Sequence, residues 1–108
     1  MLEKIYKYSI DDEKVVEKII NDENLHLNHM VFNKNEGLPE HFSNSNVYMT
    51  VIRGTLSIQL DEQEEHQYVK GDILNIPYNV KMNVGNKHDE TLEIFVIKAP
   101  NPKDYVQK

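Results

Sequence analysis

"VYMTVIRGTLSIQL", residues 47–60, is the stretch whose reading decides the fold. Its second half alternates, with Leu56, Ile58 and Leu60 on one parity and Ser57 and Gln59 on the other. That period of two marks a strand with one buried face. The first half is apolar on both parities, Val47, Met49 and Val51 against Tyr48 and Ile52, as in a strand covered on both sides. Arg53-Gly54 between them supplies a tight hairpin.

The same grammar continues on either side. "NVKMNVGN" (79–86) alternates through Val80, Met82 and Val84, while "TLEIFVIKAP" (91–100) is apolar on both parities, Leu92, Ile94 and Val96 against Phe95 and Ile97. Polar or Gly/Pro-bearing punctuation separates these runs: "DEQEEHQ", Lys70-Gly71-Asp72, "IPYN" and "GNKHDE". Isoleucine and valine recur while Ala99 is the sole alanine, a composition suited to pleated sheet. About seven strands at this spacing predict an all-β sandwich or barrel.

One segment reads otherwise. "YSIDDEKVVEKIINDEN" (8–24) offers Ser9 as a cap, Asp11, Asp12 and Glu13 for the positive end of a helix dipole, and a stripe of Val15, Val16, Ile19 and Ile20. It predicts a short N-terminal helix over about residues 10–21, lying on the sheet. At 108 residues the expectation is one domain, 1–108, with the barrel over about 25–98 and a C-terminal tail over 99–108.

A net charge of −6 with scattered lysines argues against nucleic acid or an anionic membrane as partner. The absence of cysteine excludes disulfides, thiolate metal sites and Cys nucleophiles. The N-terminal stretch is acidic where a signal peptide needs an apolar run, and nothing approaches the roughly 20 apolar residues of a membrane helix. A cytoplasmic location is the expectation.

The order of turns and strands resembles the small single-domain cupins, a family of jelly-roll β-barrels. Residues 37–54, "GLPEHFSNSNVYMTVIRG", follow the outline of the family motif G-x5-H-x-H-x3-4-E-x6-G from Gly37 through His41 to Gly54. Residues 71–86, "GDILNIPYNVKMNVGN", match G-x5-P-x-G-x2-H-x3-N at Gly71, Pro77 and Asn86. The resemblance implies a divalent metal held inside the barrel by histidines and a glutamate. Here His41 stands on the first histidine position, but Ser43, Val47 (or Asn46, with the loop shifted) and Met82 stand on the others. A transition-metal site needs three or four N, O or S donors in set geometry, so the motif reads as degenerate and no metal cofactor is expected.

The expected function is therefore binding of a small molecule in the barrel, without an ordinary metal centre. His41, Ser43, Asn46, Val47, Tyr48, Met49, Met82 and His29 are the candidate pocket. The alternative is a metal-dependent enzyme of isomerase or dioxygenase type, its divalent metal held by His41 and His29, whose strand parity could point inward. His26, His66 and His88 read as solvated surface residues. Strands apolar on both faces need cover, and cupins commonly dimerise sheet to sheet, so a homodimer is expected.

Overall fold

The computed structural model describes residues 1–105, which form nine strands, two more than the punctuation suggested. They are β1 (Val15–Asn21), β2 (His26–Phe32), β3 (His41–Phe42), β4 (Val47–Arg53), β5 (Thr55–Leu60), β6 (His66–Val69), β7 (Ile73–Ile76), β8 (Lys81–Gly85) and β9 (Leu92–Lys98). A 3-10 turn, Pro102–Asp104, follows. The strands make two antiparallel sheets, a five-stranded one in the order β1-β2-β9-β4-β7 and a four-stranded one in the order β3-β8-β5-β6. Among the described residues no helix is long and apolar enough to cross a membrane.

The two sheets face each other over one core. Met30 and Phe32 from β2, Val47, Met49 and Val51 from β4, and Ile94 and Val96 from β9 meet Leu56, Ile58, Met82 and Val84 from the opposite sheet. Leu56, Ile58, Met82 and Val84 stand on the inward parities read from the two alternating strands. The expected hairpin at Arg53-Gly54 is instead a sharp turn that carries the chain from one sheet to the other, since β4 and β5 do not pair, and Gly54 takes φ 80° there.

The expected helix over residues 10–21 is not formed: Val15–Asn21 is the edge strand of the larger sheet. A bulge explains the misreading. Between Lys18 and Ile20 the register with β2 shifts, which inserts one residue and breaks the period of two. Val15, Val16, Ile19 and Ile20 then mimic a helical stripe. Ser9, expected to cap a helix, instead donates through both its N–H and its Oγ to Glu17 Oε1, each at 2.8 Å.

Cover on the outer face is also less than the two-sided apolar patterns implied. Tyr48, Ile52 and Ile73, all outward on the five-stranded sheet, remain exposed.

Candidate functional site

The positions that the family gives to metal ligands hold packing and loop contacts in this chain. Val47 and Met82 are 0 % and 2 % exposed within the core, beside Met49. Ser43 is buried, and its Oγ donates to the Pro77 carbonyl at 2.6 Å and accepts the Val80 N–H at 2.8 Å, which fixes the loop before β8. Asn46 offers its carbonyl to the Ala99 N–H. His41 pairs with Met82 across β3 and β8, so the two side chains share a face, and the half-buried imidazole lies 3.0 Å from the Pro39 carbonyl through Nδ1. Tyr48 points outward. Among the described residues no group of three His, Asp or Glu side chains could hold a metal ion. One rim imidazole, a committed hydroxyl, a valine and a thioether do not fit a divalent cation, which takes nitrogen and oxygen donors.

His29 does not join His41, contrary to the sequence expectation. Its neighbours across the strands are Glu17 and Phe95, and that row lies on the outer face of the five-stranded sheet. Met30, one residue on, is the inward one. The ring is fully buried there: Nδ1 lies 2.6 Å from Glu17 Oε1, and Nε2 lies 2.6 Å from Glu93 Oε2. Both ring nitrogens are thus engaged by carboxylates, one from each neighbouring strand. Tyr8 and Phe95 bracket it at centroid distances of 4.7 and 5.0 Å. Arg53 then bonds Glu93 Oε1 at 3.0 Å and reaches Asp12, so the network ties residues 8–12 onto the sheet. This is a structural clamp rather than a reaction centre, because both ring nitrogens of His29 and both carboxylate oxygens of Glu93 already have a protein partner.

The clamp makes a prediction about pH. The Ser9 backbone N–H, then the His29 ring, hold the Glu17 carboxyl below its ordinary value of 4.5. A carboxyl with a lowered folded-state pKa contributes stability above its unfolded value, and the contribution disappears as pH falls through the lowered one. Urea midpoints of the parent chain should therefore drop more steeply below about pH 4.5 than those of Glu17→Gln. Parallel curves for the two would remove Glu17 from the acid response.

The unpartnered polar groups lie inside the barrel, at one end. The inward row Lys98–Val47–Ile76 starts with His26, the Cα partner of Lys98, and the next inward row sets Asn28 beside Val96 and Met49. His26 and Asn28 are 8 % and 6 % exposed, and His26 Nε2 and Asn28 Oδ1 are buried with no hydrogen-bond partner among the described residues. Lys98 is half-buried, and among the described residues no carboxylate pairs with it. Burial, then the charge of Lys18, holds the Lys98 amine below the ordinary lysine range. His26 is pushed down by burial, then by Lys98 and Lys18, against a smaller opposing pull from Asn28. Buried polar groups are nearly always satisfied, so such a cluster calls for something not supplied by the chain.

His26 was thus misread as a surface histidine. Its alternation with Asn28, Met30 and Phe32 was the available signal, obscured because two polar residues head an inward parity. Neighbouring elements close over this end. Asn101 donates to the Asp22 carbonyl at 3.0 Å, Ser45 Oγ to the Pro100 carbonyl at 2.6 Å, and Tyr78 stacks on Tyr105 at 4.5 Å.

An open groove of about 730 Å³ runs along the outer side of the four-stranded sheet between Gly37–Pro39 and Gln59. Ser57 Oγ is buried in its wall without a partner. Within it Lys87 pairs with Glu65 and Asn83 Nδ2 donates to Glu40, and its polar side chains are exposed or half-buried rather than desolvated, Ser57 and the hydrogen-bonded Asn86 excepted. The barrel end, where the half-buried Lys98 has no carboxylate partner among the described residues and two buried polar atoms lie beside it, is the stronger candidate.

No family model matches the chain. It is 44 % identical over 104 residues to an uncharacterized protein of Methanocaldococcus jannaschii, covering 95 % of this chain and 90 % of that one. A crystal structure from the same organism, described as an RmlC-like cupin family protein with a double-stranded β-helix fold, superposes with a TM-score of 0.92 at 44 % identity, covering 95 % of each chain. A cupin-like protein of Thermotoga maritima superposes at 0.73 with 25 % identity, over 79 % of this chain and 67 % of that one. A cupin superfamily protein of Desulfitobacterium hafniense does so at 0.72 with 14 % identity, over 86 % and 83 %, a likeness of fold alone.

Proposed function

The chain belongs to the RmlC-like cupin family, and from that premise we propose that it binds a small molecule inside the barrel without a metal at the family's position. The observation that carries this reading is the pair of buried, unpartnered polar atoms, His26 Nε2 and Asn28 Oδ1, beside the uncompensated Lys98. Val47, which the resemblance sets on the family's glutamate position (Asn46 with the loop shifted), is the other Cα partner of Lys98, which supports placing the ligand near the family's metal position. An isomerase or dioxygenase centre built on His41 and His29 is disfavoured, because His29 is fully engaged by two carboxylates on the far side of the sheet.

The test is metal analysis of protein purified without chelator, joined to a small-molecule screen read by amide resonances of β2 and β9. The expected result is saturable shifts that chelator leaves unchanged, with metal well below stoichiometric. Stoichiometric Fe, Mn, Ni, Cu or Zn would overturn the metal-free reading, and a silent screen would overturn the ligand-binding one.

A second reading, compatible with the first, is homodimer formation through the outer face of the five-stranded sheet. It rests on Ile73 (71 % exposed), Tyr48 and Ile52 on that face and on Leu2, Ile5 and Ile10, which the extended N-terminal segment leaves in solvent. Apolar surface gathered in this way usually marks an interface. Sedimentation should give twice the monomer mass of 12.7 kDa at micromolar concentration, and Ile73→Asp should restore the monomer. A parent chain that sediments as a monomer would exclude the dimer.

A further inference from the structure

We infer that the barrel-end cluster takes a small oxyanion that also carries an O–H donor, an α-hydroxy carboxylate being the simplest such group. This rests on the ligand-binding reading above and adds the chemical class. Three features of the cluster define it. First, two ammonium groups stand there without a counter-charge: Lys98 projects from the β9 position paired with His26 of β2, Lys18 lies across from Asn28 at the rim, and neither lysine has a carboxylate partner among the described residues. Water can satisfy a hydrogen-bond donor, but it cannot cancel the charge of a half-desolvated ammonium. An anion does both.

Second, the polar atoms are of two kinds. The Lys98 ammonium, and His26 Nε2 when it carries its proton, donate, and both suit carboxylate or phosphate oxygens. Asn28 Oδ1 is an acceptor, buried and unpartnered, and a bare oxyanion would leave it so or repel it. A hydroxyl on the ligand, next to the charged oxygens, completes the set. Third, the floor of the site is apolar and fixed: Val47, Met49 and Val96 are each no more than 3 % exposed. A ligand with a short carbon frame meets that floor, and a large polyanion does not.

The mutual repulsion seen in the ligand-free chain points the same way. Lys98 and Lys18 each disfavour the charged form of His26, and Lys18 disfavours that of Lys98. An anion among them converts repulsion into attraction, so binding and protonation favour each other.

The experiment is an NMR titration of the intact chain, following the His26 ring and the amides of β2 and β9, with glycolate, acetate and glycolamide as probes. Glycolate has both charge and hydroxyl, acetate lacks the hydroxyl, and glycolamide lacks the charge. Glycolate is expected to give saturable shifts and the other two weaker ones. Lys98→Gln should weaken glycolate roughly 10- to 100-fold, the worth of one charge-assisted hydrogen bond. Lys98→Arg should recover much of that loss. Lys70→Gln, which removes the same charge from an exposed turn, should change nothing. Acetate equal to glycolate overturns the hydroxyl requirement, and Lys98→Gln without effect overturns the oxyanion assignment. Glycolamide equal to glycolate overturns the anion while leaving a small-molecule site in place. If none of the three probes moves these resonances, the oxyanion assignment fails, and a negative screen as well would remove the ligand-binding reading.

Discussion

His29→Ala is expected to cost roughly 3–5 kcal/mol of folding stability, the range for removing one member of a buried ion pair. The loss has two sources. The ring is fully buried between Tyr8 and Phe95, so truncation leaves a cavity. It also strips Glu17 and Glu93 of the ring nitrogens that engage them at 2.6 Å, and Glu93 is only 12 % exposed. Glu93 keeps Arg53, whereas Glu17 keeps only the donors from Ser9. The N-terminal segment should therefore loosen along with the global change. Urea unfolding measures the first effect, and amide exchange at Ser9 measures the second. His29→Gln restores one donor and part of the volume, so it should recover some of the loss. Equal stability of the alanine variant and the parent would mean that the clamp holds nothing.

The same residue shows where the sequence was legible and where it was not. That residues 25–32 form a strand, and that His29 shares a parity with Leu27 and Val31, can be read from the letters. Which parity faces the core cannot, because Leu27, His29 and Val31 are as apolar on balance as Asn28, Met30 and Phe32. Deciding it requires knowing that Glu17 of the adjacent strand β1 and the segment 8–12 engage His29 on the outer face, and the bulge in β1 disguised that strand as a helix. The error about His29 follows from the error about β1. His26 failed for the complementary reason, since an inward polar residue looks like a surface one until its partners are known.

The family skeleton, by contrast, was legible because glycine and proline encode backbone geometry locally. Gly37, Gly54, Gly71 and Pro77 mark turns and close approaches whose meaning does not depend on distant packing. The site depends on long-range pairings such as His26 with Lys98, and no local pattern announces those.

Even so, two of the skeleton glycines are not equivalent, and the difference is measurable. Gly54→Ala is expected to cost about 2–5 kcal/mol, combining a left-handed backbone penalty of ~1–2 with overpacking of ~1–3. Its φ is 80°, and a Cβ there would lie 2.4 Å from the Thr91 carbonyl oxygen and 2.8 Å from Leu92 Cα, both backbone atoms that cannot rotate away. Gly71 has a φ of 98°, but a Cβ there meets nothing within 4 Å. Gly71→Ala should therefore carry the conformational penalty alone, ~1–2 kcal/mol. Paired urea melts would reveal the contrast, and equal losses would show that backbone conformation, not contact, decides both positions. The consequence for Gly54 reaches the site. Thr91 and Leu92 lead into β9, which pairs with β4 and carries Val96 and Lys98 to the polar end of the barrel. Pushing the start of β9 off the turn strains the pairing that sets Lys98 beside Val47 and His26. In a Gly54→Ala chain that still folds, the β2 and β9 resonances should respond less to glycolate, while Gly71→Ala should bind like the parent.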